Sequence, residues 1–207
     1  MTPESENLPT KEALLLAAKK IFALKGYNGA TVKEIADEAG VNVSLVSYHY
    51  HGKEKLFHEC MEAYGRRRLQ ATEQFLKSPQ SKEDFRVRLT LFVEDYFQNA
   101  IDDQDTMTMM HRECTSSNPL TLDLFEGVFM TGLRNMMKFF KDASDNQIIR
   151  SDVDSHYVTL ILLGALSQTV LMDPMHRQFF NTGLKDPVHR EKMVTTILQL
   201  VMGGTQS

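Results

Sequence analysis

The sequence has few of the features that mark secreted, membrane or metal-binding chains. Its 207 residues include only two cysteines, Cys60 and Cys114, which lie far apart with no second pair of metal ligands nearby. This excludes a disulfide framework and favours a reducing cytoplasm. The longest apolar stretch, residues 158–171, contains polar residues and is shorter than the roughly 20 residues that cross a bilayer. The first seven residues are acidic and polar, so we expect neither a signal nor a transit peptide.

The sequence also lacks a constellation of catalytic residues. His111 and Cys114 stand three apart on a predicted helix, but two ligands do not make a metal site. A structural or ligand-lining role is favoured for both. Serines near histidines lack the glycine-flanked turn of a catalytic nucleophile. We therefore expect no enzyme activity, no metal and no cofactor.

The composition is that of an ordinary globular protein, and its charge is unevenly distributed. Apolar residues make up 42% and charged residues 24% of the chain. The net charge of −4 combines about +3 over residues 10–68 with about −7 over the rest. A modestly basic head on an acidic body suits contact between the head and a polyanion.

Apolar residues recur at helical spacing along the whole chain, which predicts an all-α fold of about nine helices. There is no alternating strand pattern, no repeat and no low-complexity tract. Helix start and stop signals include Gly26 after the first helix, a Thr31–Glu34 capping box, and Pro79 and Pro174 as terminators. The predicted helices are about 10–25, 31–39, 43–49, 53–77, 81–100, 105–114, 119–142, 152–172 and 187 onwards.

The segment from Thr31 to Lys53 has the dimensions of a helix-turn-helix. A helix of about eight residues is followed by a tight turn at Gly40 and a second short helix, which in such motifs enters the major groove of DNA. Small or branched apolar residues, such as Ile35 and Val46, are suited to packing both helices on the first. On the pattern alone, an ordinary helical hairpin with a polar surface is an equal alternative.

Residues 10–58 resemble the N-terminal region of the TetR (tetracycline-repressor) family. The resemblance is carried by FALKGYNGATVKEIADEAGV, which begins at Phe22, and by SYHYHGKEKLF, which ends at Phe57. It implies a three-helix DNA-binding domain over residues 1–53, with the fourth helix from about residue 53 as connector. It implies a larger helical ligand-binding and dimerisation domain over residues 54–207. The sequence departs from the common family pattern at Ser47 and Tyr50, and Tyr50 is expected to pack inside the head.

The resemblance also implies the residues that contact DNA. The hydroxyl of Thr31 at the second helix N-terminus, the pair Tyr48 and His49, and Lys53 are expected at phosphates, which position the protein. Residues of the third helix are expected at base edges, which specify the sequence. The full predicted set is Thr31, Lys33, Val43, Ser44, Leu45, Ser47, Tyr48, His49 and Lys53. Arg66, Arg67 and Arg68 are expected to form a solvated face, and the alternative is that one of them contacts the ligand domain.

Methionine and phenylalanine are abundant on the helices after residue 85, and such side chains adapt to varied apolar guests. For each residue singly, a role in the core is the favoured alternative. The resemblance implies a pocket among them, with Tyr96, His111 and Gln168 available to orient a polar end. The predicted ligand-binding residues are Phe92, Tyr96, Met109, Met110, His111, Phe125, Phe129 and Gln168.

The last two long helices are predicted to form a homodimer. The helix from about residue 152 is apolar nearly all round, as expected for a helix buried on both sides. Paired as a four-helix bundle, the two helices would give a two-fold interface that mirrors a palindromic operator. The predicted interface residues are Ile161, Gly164, Ala165, Gln168, Met193, Ile197 and Leu198.

Together these patterns predict a cytoplasmic, homodimeric transcription regulator. The favoured hypothesis is a repressor released from a palindromic operator in double-stranded DNA by a small, mainly apolar ligand. The alternative is a DNA-binding regulator of the same fold that is controlled by a protein partner or by its own abundance.

Overall fold

The computed structural model describes residues 9–115 and 125–205, and these residues are helical, without a strand. Nine α-helices are found in this part of the chain, so the predicted all-α fold is confirmed. They are α1 (Thr10–Gly29), α2 (Val32–Ala39), α3 (Ser44–Tyr50), α4 (Lys53–Phe75), α5 (Lys82–Asp102), α6 (Gln104–Thr115), α7 (Met130–Asp145), α8 (Ser155–Phe180) and α9 (Pro187–Thr205). A π-helical turn, Phe125–Phe129, precedes α7.

The chain forms two compact units. The first contains residues up to Gly65 together with Asp103–Phe125, and the second contains Arg66–Asp102 and Glu126–Ser207. The division falls inside α4, and it assigns α6 to the first unit. The predicted boundary between the DNA-binding domain and the ligand-binding and dimerisation domain, near residue 53, stays a prediction.

In the first unit, α1 packs against both α2 and α6. Its apolar face is buried as its helical spacing predicts, with Leu14 and Phe22 almost wholly inaccessible. Phe22 meets Phe57 of α4 edge to face, with ring centroids 4.9 Å apart. This core fixes the helices that carry the helix-turn-helix.

Several predicted helix boundaries are confirmed and two are wrong. Ser81 accepts the backbone N–H of Asp84 (3.1 Å) at the start of α5. Helix α8, however, begins after Asp154, whose carboxylate caps it, and not at Asp152, which pairs with Arg150 instead. The predicted N-cap at residues 118–119 lies outside the described residues.

Pro174 does not end α8, which continues to Phe180. A proline removes one backbone hydrogen bond but does not forbid a helix when other contacts support it. Here an ion pair between Asp173 and Arg177 (3.1 Å) spans the proline. Asp173 also accepts the backbone N–H of Leu184 (2.6 Å), which ties the following loop to the helix.

At 26 residues, α8 is long and apolar enough to cross a membrane. The apolar run identified in the sequence, residues 158–171, was shorter than a bilayer requires. Only 17% of its most apolar 18-residue segment is buried within the protomer. The helix therefore presents a large apolar surface that a single copy leaves uncovered.

Candidate nucleic-acid interface

Helices α2 and α3 are joined by a tight turn that local sequence dictates. Gly40 ends α2 with φ +69°, a left-handed conformation that glycine adopts without steric cost. The backbone N–H of Val41 bonds to the carbonyl of Ala36 (3.0 Å), as in a Schellman cap. The predicted helix-turn-helix is thus present at the predicted position.

Asn42 is a contributor to this turn that the sequence analysis missed. Its side-chain oxygen accepts both the backbone N–H (2.9 Å) and the hydroxyl (2.8 Å) of Ser44, and so it caps the start of α3. An asparagine just before a short helix is a recognised capping signal and could have indicated this role. The hydroxyl of Ser44 is therefore oriented by Asn42 before any DNA is bound.

The exposed face of α3 consists of the residues that were predicted to face DNA. Tyr48 is 75% exposed and meets the ring of His49 edge to face at 4.9 Å. The side chains that are exposed on or just before the helix are Val43, Ser44, Ser47 and Tyr48, and those that are half-buried are Leu45 and His49.

The opposite face of α3 anchors the helix inside the first unit. Val46 is fully buried, and Tyr50 is buried with its hydroxyl donating to the carbonyl of Lys11 on α1 (2.6 Å). The expectation that Tyr50 packs inside the head is confirmed. Burial raises the pKa of Tyr50 to about 12, so its hydroxyl keeps this hydrogen bond over the physiological range.

The N-terminus of α2 carries a complete capping box. Thr31 Oγ1 accepts the backbone N–H of Glu34 (3.2 Å), and the Glu34 carboxylate accepts the backbone N–H of Thr31 (3.0 Å). Lys25 also donates to Glu34 (2.6 Å), and these hydrogen bonds lower the pKa of that carboxyl to about 2. Lys33 lies exposed on the first turn of α2, beside the free N–H groups that favour anions.

The lowered pKa of Glu34 makes a testable prediction about stability. Because the folded-state pKa lies below the usual value of 4.5, the ionised carboxylate stabilises the fold above pH 4.5. This contribution should disappear as the pH falls from about 4.5 to about 2. We expect the difference in urea midpoint between wild type and Glu34→Gln to shrink over that window. A difference that stays constant with pH would contradict the prediction.

Lys53 has a structural role that the resemblance did not indicate. Its ammonium donates to the carbonyls of Tyr27 (2.8 Å) and Ala30 (3.0 Å) and lies 4.3 Å from the Tyr27 ring centroid. These hydrogen bonds therefore link the end of α1 and the turn before α2 to the start of α4. Any loss of DNA binding on removing Lys53 would combine this structural effect with a lost phosphate contact.

The predicted ligand-binding residues fall in both units. Phe92 and Tyr96 are buried in the second unit, where Phe129 is half-buried and Gln168 is exposed. Met109 and Met110 are buried in the first unit, and His111 is exposed there. The side chain of Phe125 lies outside the described residues. No cluster of three metal-ligating side chains occurs in residues 9–115 and 125–205.

One of the three neighbouring arginines on α4 follows the alternative role, contact with the ligand domain, and not the favoured one. Arg66 and Arg67 are exposed, as expected for a solvated face. Arg68 points inward instead: its side chain is 11% exposed and pairs with Asp95 of α5 at 2.5 Å. The aromatic residues of α5 provide the reason, since the guanidinium packs over the rings of Phe92 and Tyr96.

The predicted dimer residues also divide into two groups. Ile161 is 68% exposed, and Gly164 and Gln168 lie exposed on the same helix, with Ala165 half-buried. On α9, Met193 is half-buried, but Ile197 and Leu198 are buried in the protomer core at 5% and 8% exposure. Ile197 and Leu198 are therefore not available as surface contacts in this structure.

The described residues are helical and expose a third helix on a capped helix-turn-helix, an architecture typical of DNA-binding transcription regulators. Residues 10–60 match the model of the family described as "Bacterial regulatory proteins, tetR family". Over this segment the chain is similar to the DNA-binding region of the TetR family.

Known relatives and a solved structure are similar to nearly the whole chain. The chain is 24% identical over 198 residues to the HTH-type transcriptional regulator YdgC of Bacillus subtilis, covering 94% of this chain and 93% of the relative. It is 23% identical over 207 residues to the HTH-type transcriptional repressor BepR of Brucella suis, covering 95% and 93%. The structure of FadR from Bacillus subtilis in complex with stearoyl-CoA shares the fold, with a TM-score of 0.73, 18% identity and coverage of 93% and 98%.

Proposed function

We propose that the protein is a cytoplasmic, homodimeric repressor that leaves a palindromic operator when a small, mainly apolar ligand binds. The observation that carries the DNA-binding half is the exposed face of α3, presented by a buried anchor at Val46 and Tyr50. The repressor half is supported by the likeness to BepR, which is itself a repressor.

Two kinds of contact are proposed at the DNA. Thr31, Lys33, Tyr48, His49 and Lys53 would bind phosphates, which gives affinity without sequence preference. Residues at the start and middle of α3 would meet base edges in the major groove. They are Val43, Ser44, Leu45 and Ser47.

The first test is selection of bound duplexes from a random library, which we expect to enrich a symmetric site. On that site, Lys33→Ala should weaken binding to all sequences alike and reduce the salt slope by about one. Ser44→Ala should instead change the preferred bases, since its hydroxyl is held at the surface by Asn42. Lys33 is the cleaner phosphate variant, because Lys53 also supports the fold.

Failure to enrich any symmetric site would contradict the proposed operator. A Lys33→Ala variant that changed the base preference, or a Ser44→Ala variant that changed only the salt slope, would reverse the proposed division of roles.

The proposed dimer uses the exposed face of α8. Tyr157, Ile161 and Leu171 recur at helical spacing on that face, with exposures of 64%, 68% and 41%. Gly164 lies between them, and an added Cβ there would meet no atom within 4 Å in the protomer. A second copy packed against this face would cover the apolar surface and give the two-fold symmetry that a palindrome requires.

The proposed ligand site lies among the aromatic residues of the second unit. Phe92 and Tyr96 on α5 and Phe129 before α7 offer the apolar surface that such a guest requires. The FadR structure supports this proposal, because that relative of the same fold holds stearoyl-CoA. Ligand release would require the operator to weaken ligand binding by the same factor as the ligand weakens operator binding.

A further inference from the structure

The second unit contains a buried arginine whose hydrogen-bonding capacity is not fully used. Arg68 Nη1 donates to Asp95 at 2.5 Å, and the Arg68 side chain is 11% exposed. Arg68 Nη2 is buried and finds no acceptor within the described parts of the chain. Buried donors in native proteins are nearly always satisfied, so each exception needs an explanation.

Aromatic rings and polar groups lie near this donor. The guanidinium carbon lies 5.0 Å from the Tyr96 ring centroid and 5.5 Å from that of Phe92. One turn further along α4, Thr72 Oγ1 accepts from Asn135 (3.1 Å) and donates to the carbonyl of Leu69 (2.7 Å). Arg68 and Thr72 therefore place polar groups one turn apart on α4, and the aromatic rings of α5 lie beside Arg68.

We infer that Arg68 Nη2 donates to an oxygen of the bound effector and that this oxygen is neutral, such as a ketone, ester or amide carbonyl. The inference rests on the proposed ligand-binding function and specifies its ligand. It assigns to Arg68 the recognition of the polar end, while Phe92 and Tyr96 contact the apolar part.

The charge balance favours a neutral oxygen over a carboxylate. Asp95 already compensates the positive charge of Arg68 within hydrogen-bond distance. A second carboxylate on Nη2 would leave a net negative charge in a largely buried site, close to Asp95, where desolvation and repulsion are costly. A carbonyl satisfies the remaining N–H groups without that cost.

Three ten-carbon probes of similar shape separate these possibilities: butylbenzene, butyrophenone and 4-phenylbutanoate. Their affinities for the full-length protein can be measured by displacement of the neutral dye N-phenylnaphthylamine and checked by calorimetry. We expect butyrophenone to bind about tenfold or more tightly than butylbenzene, since the donor is charged. We expect 4-phenylbutanoate to bind more weakly than butyrophenone.

Two variants make the test specific to Arg68. Arg68→Lys keeps a positive charge facing Asp95 but removes the second arm of the fork, so the preference for butyrophenone over butylbenzene should fall close to one. Asp95→Asn removes the compensating carboxylate, so the preference should shift to 4-phenylbutanoate by about tenfold. Thermal unfolding without probe shows whether each variant is folded.

The outcomes separate this inference from the proposed function. Unchanged selectivity in folded Arg68→Lys, binding of none of the three probes, or a wild-type preference for 4-phenylbutanoate would overturn the assignment. Arg68-dependent butyrophenone binding that leaves operator affinity unchanged would keep the site and count against ligand release. Release of the operator by a guest whose affinity is the same for wild type and Arg68→Lys would support ligand release and count against the assignment of Arg68.

Discussion

Replacing Ile161 by glutamate is expected to convert the proposed dimer into monomers and to lower operator affinity by about a hundredfold or more. Ile161 is 68% exposed on the apolar face of α8, so the protomer itself should fold with the new charge in water. In a dimer the same carboxylate would be buried in an apolar interface without a partner, which is strongly unfavourable. Two linked recognition helices gain about 10²–10⁴ in avidity over one, and that gain would be lost.

Sedimentation at micromolar concentration and titration of the operator measure the two effects. Val87→Glu is the matched control, because Val87 is an apolar residue that is 42% exposed on a different helix, α5. Its assembly and DNA affinity should match the wild type. A wild-type monomer at micromolar concentration would contradict the dimer, and recovery of the protein with lipid vesicles would point to a membrane as the partner of α8.

The head could be predicted closely from sequence because its signals are local. The capping box of Thr31 and Glu34, and Gly40 at the turn, each specify a conformation within a few residues of themselves. The structure shows all three in the predicted arrangement. Asn42, whose side chain bonds to Ser44 two residues later, is a local signal of the same class, although it was not among the predicted caps.

The body could be predicted less well because its decisive contacts are distant in sequence. The inward turn of Arg68 depends on Asp95 and on the aromatic rings of α5, 27 residues away. Apolar periodicity identified Ile161 and Ile197 alike, yet the first faces outward and the second is 5% exposed. Tertiary packing decides which apolar face meets the protomer core and which remains uncovered. The apolar periodicity of one sequence does not distinguish the two faces.

Gly26 combines a local backbone requirement with a close contact to Arg112, a residue distant in sequence. It interrupts α1 three residues before the helix ends at Gly29, with φ +71° and ψ 174°, a conformation that residues with a side chain rarely adopt. A Cβ at this position would stand 2.9 Å from Arg112 Nη1 of α6. The same nitrogen of Arg112 donates to the carbonyl of Phe22 at 3.3 Å. The sequence predicted that the helix ends at Gly26, where the structure instead has a break within α1, and it did not predict the contact with Arg112.

Gly26→Ala is therefore expected to destabilise the first unit by about 1–3 kcal/mol from backbone strain, with a further loss from displacement of Arg112. Gly29→Ala is the matched control, since Gly29 has no positive φ and its added Cβ would be 3.4 Å from the Cβ of Lys25. That change should be neutral or slightly stabilising, because alanine restricts the unfolded chain more than glycine does.

A double-mutant cycle with Arg112→Ala separates the two causes. If the steric contact contributes, Gly26→Ala should cost less in the Arg112→Ala background than in the wild type, while the strain from φ +71° should remain. The measurement is the free energy of unfolding in urea for the four proteins. Equal stabilities of Gly26→Ala and Gly29→Ala would show that residue 26 does not require the left-handed backbone, and the described connection between α1 and α2 would then have to be revised.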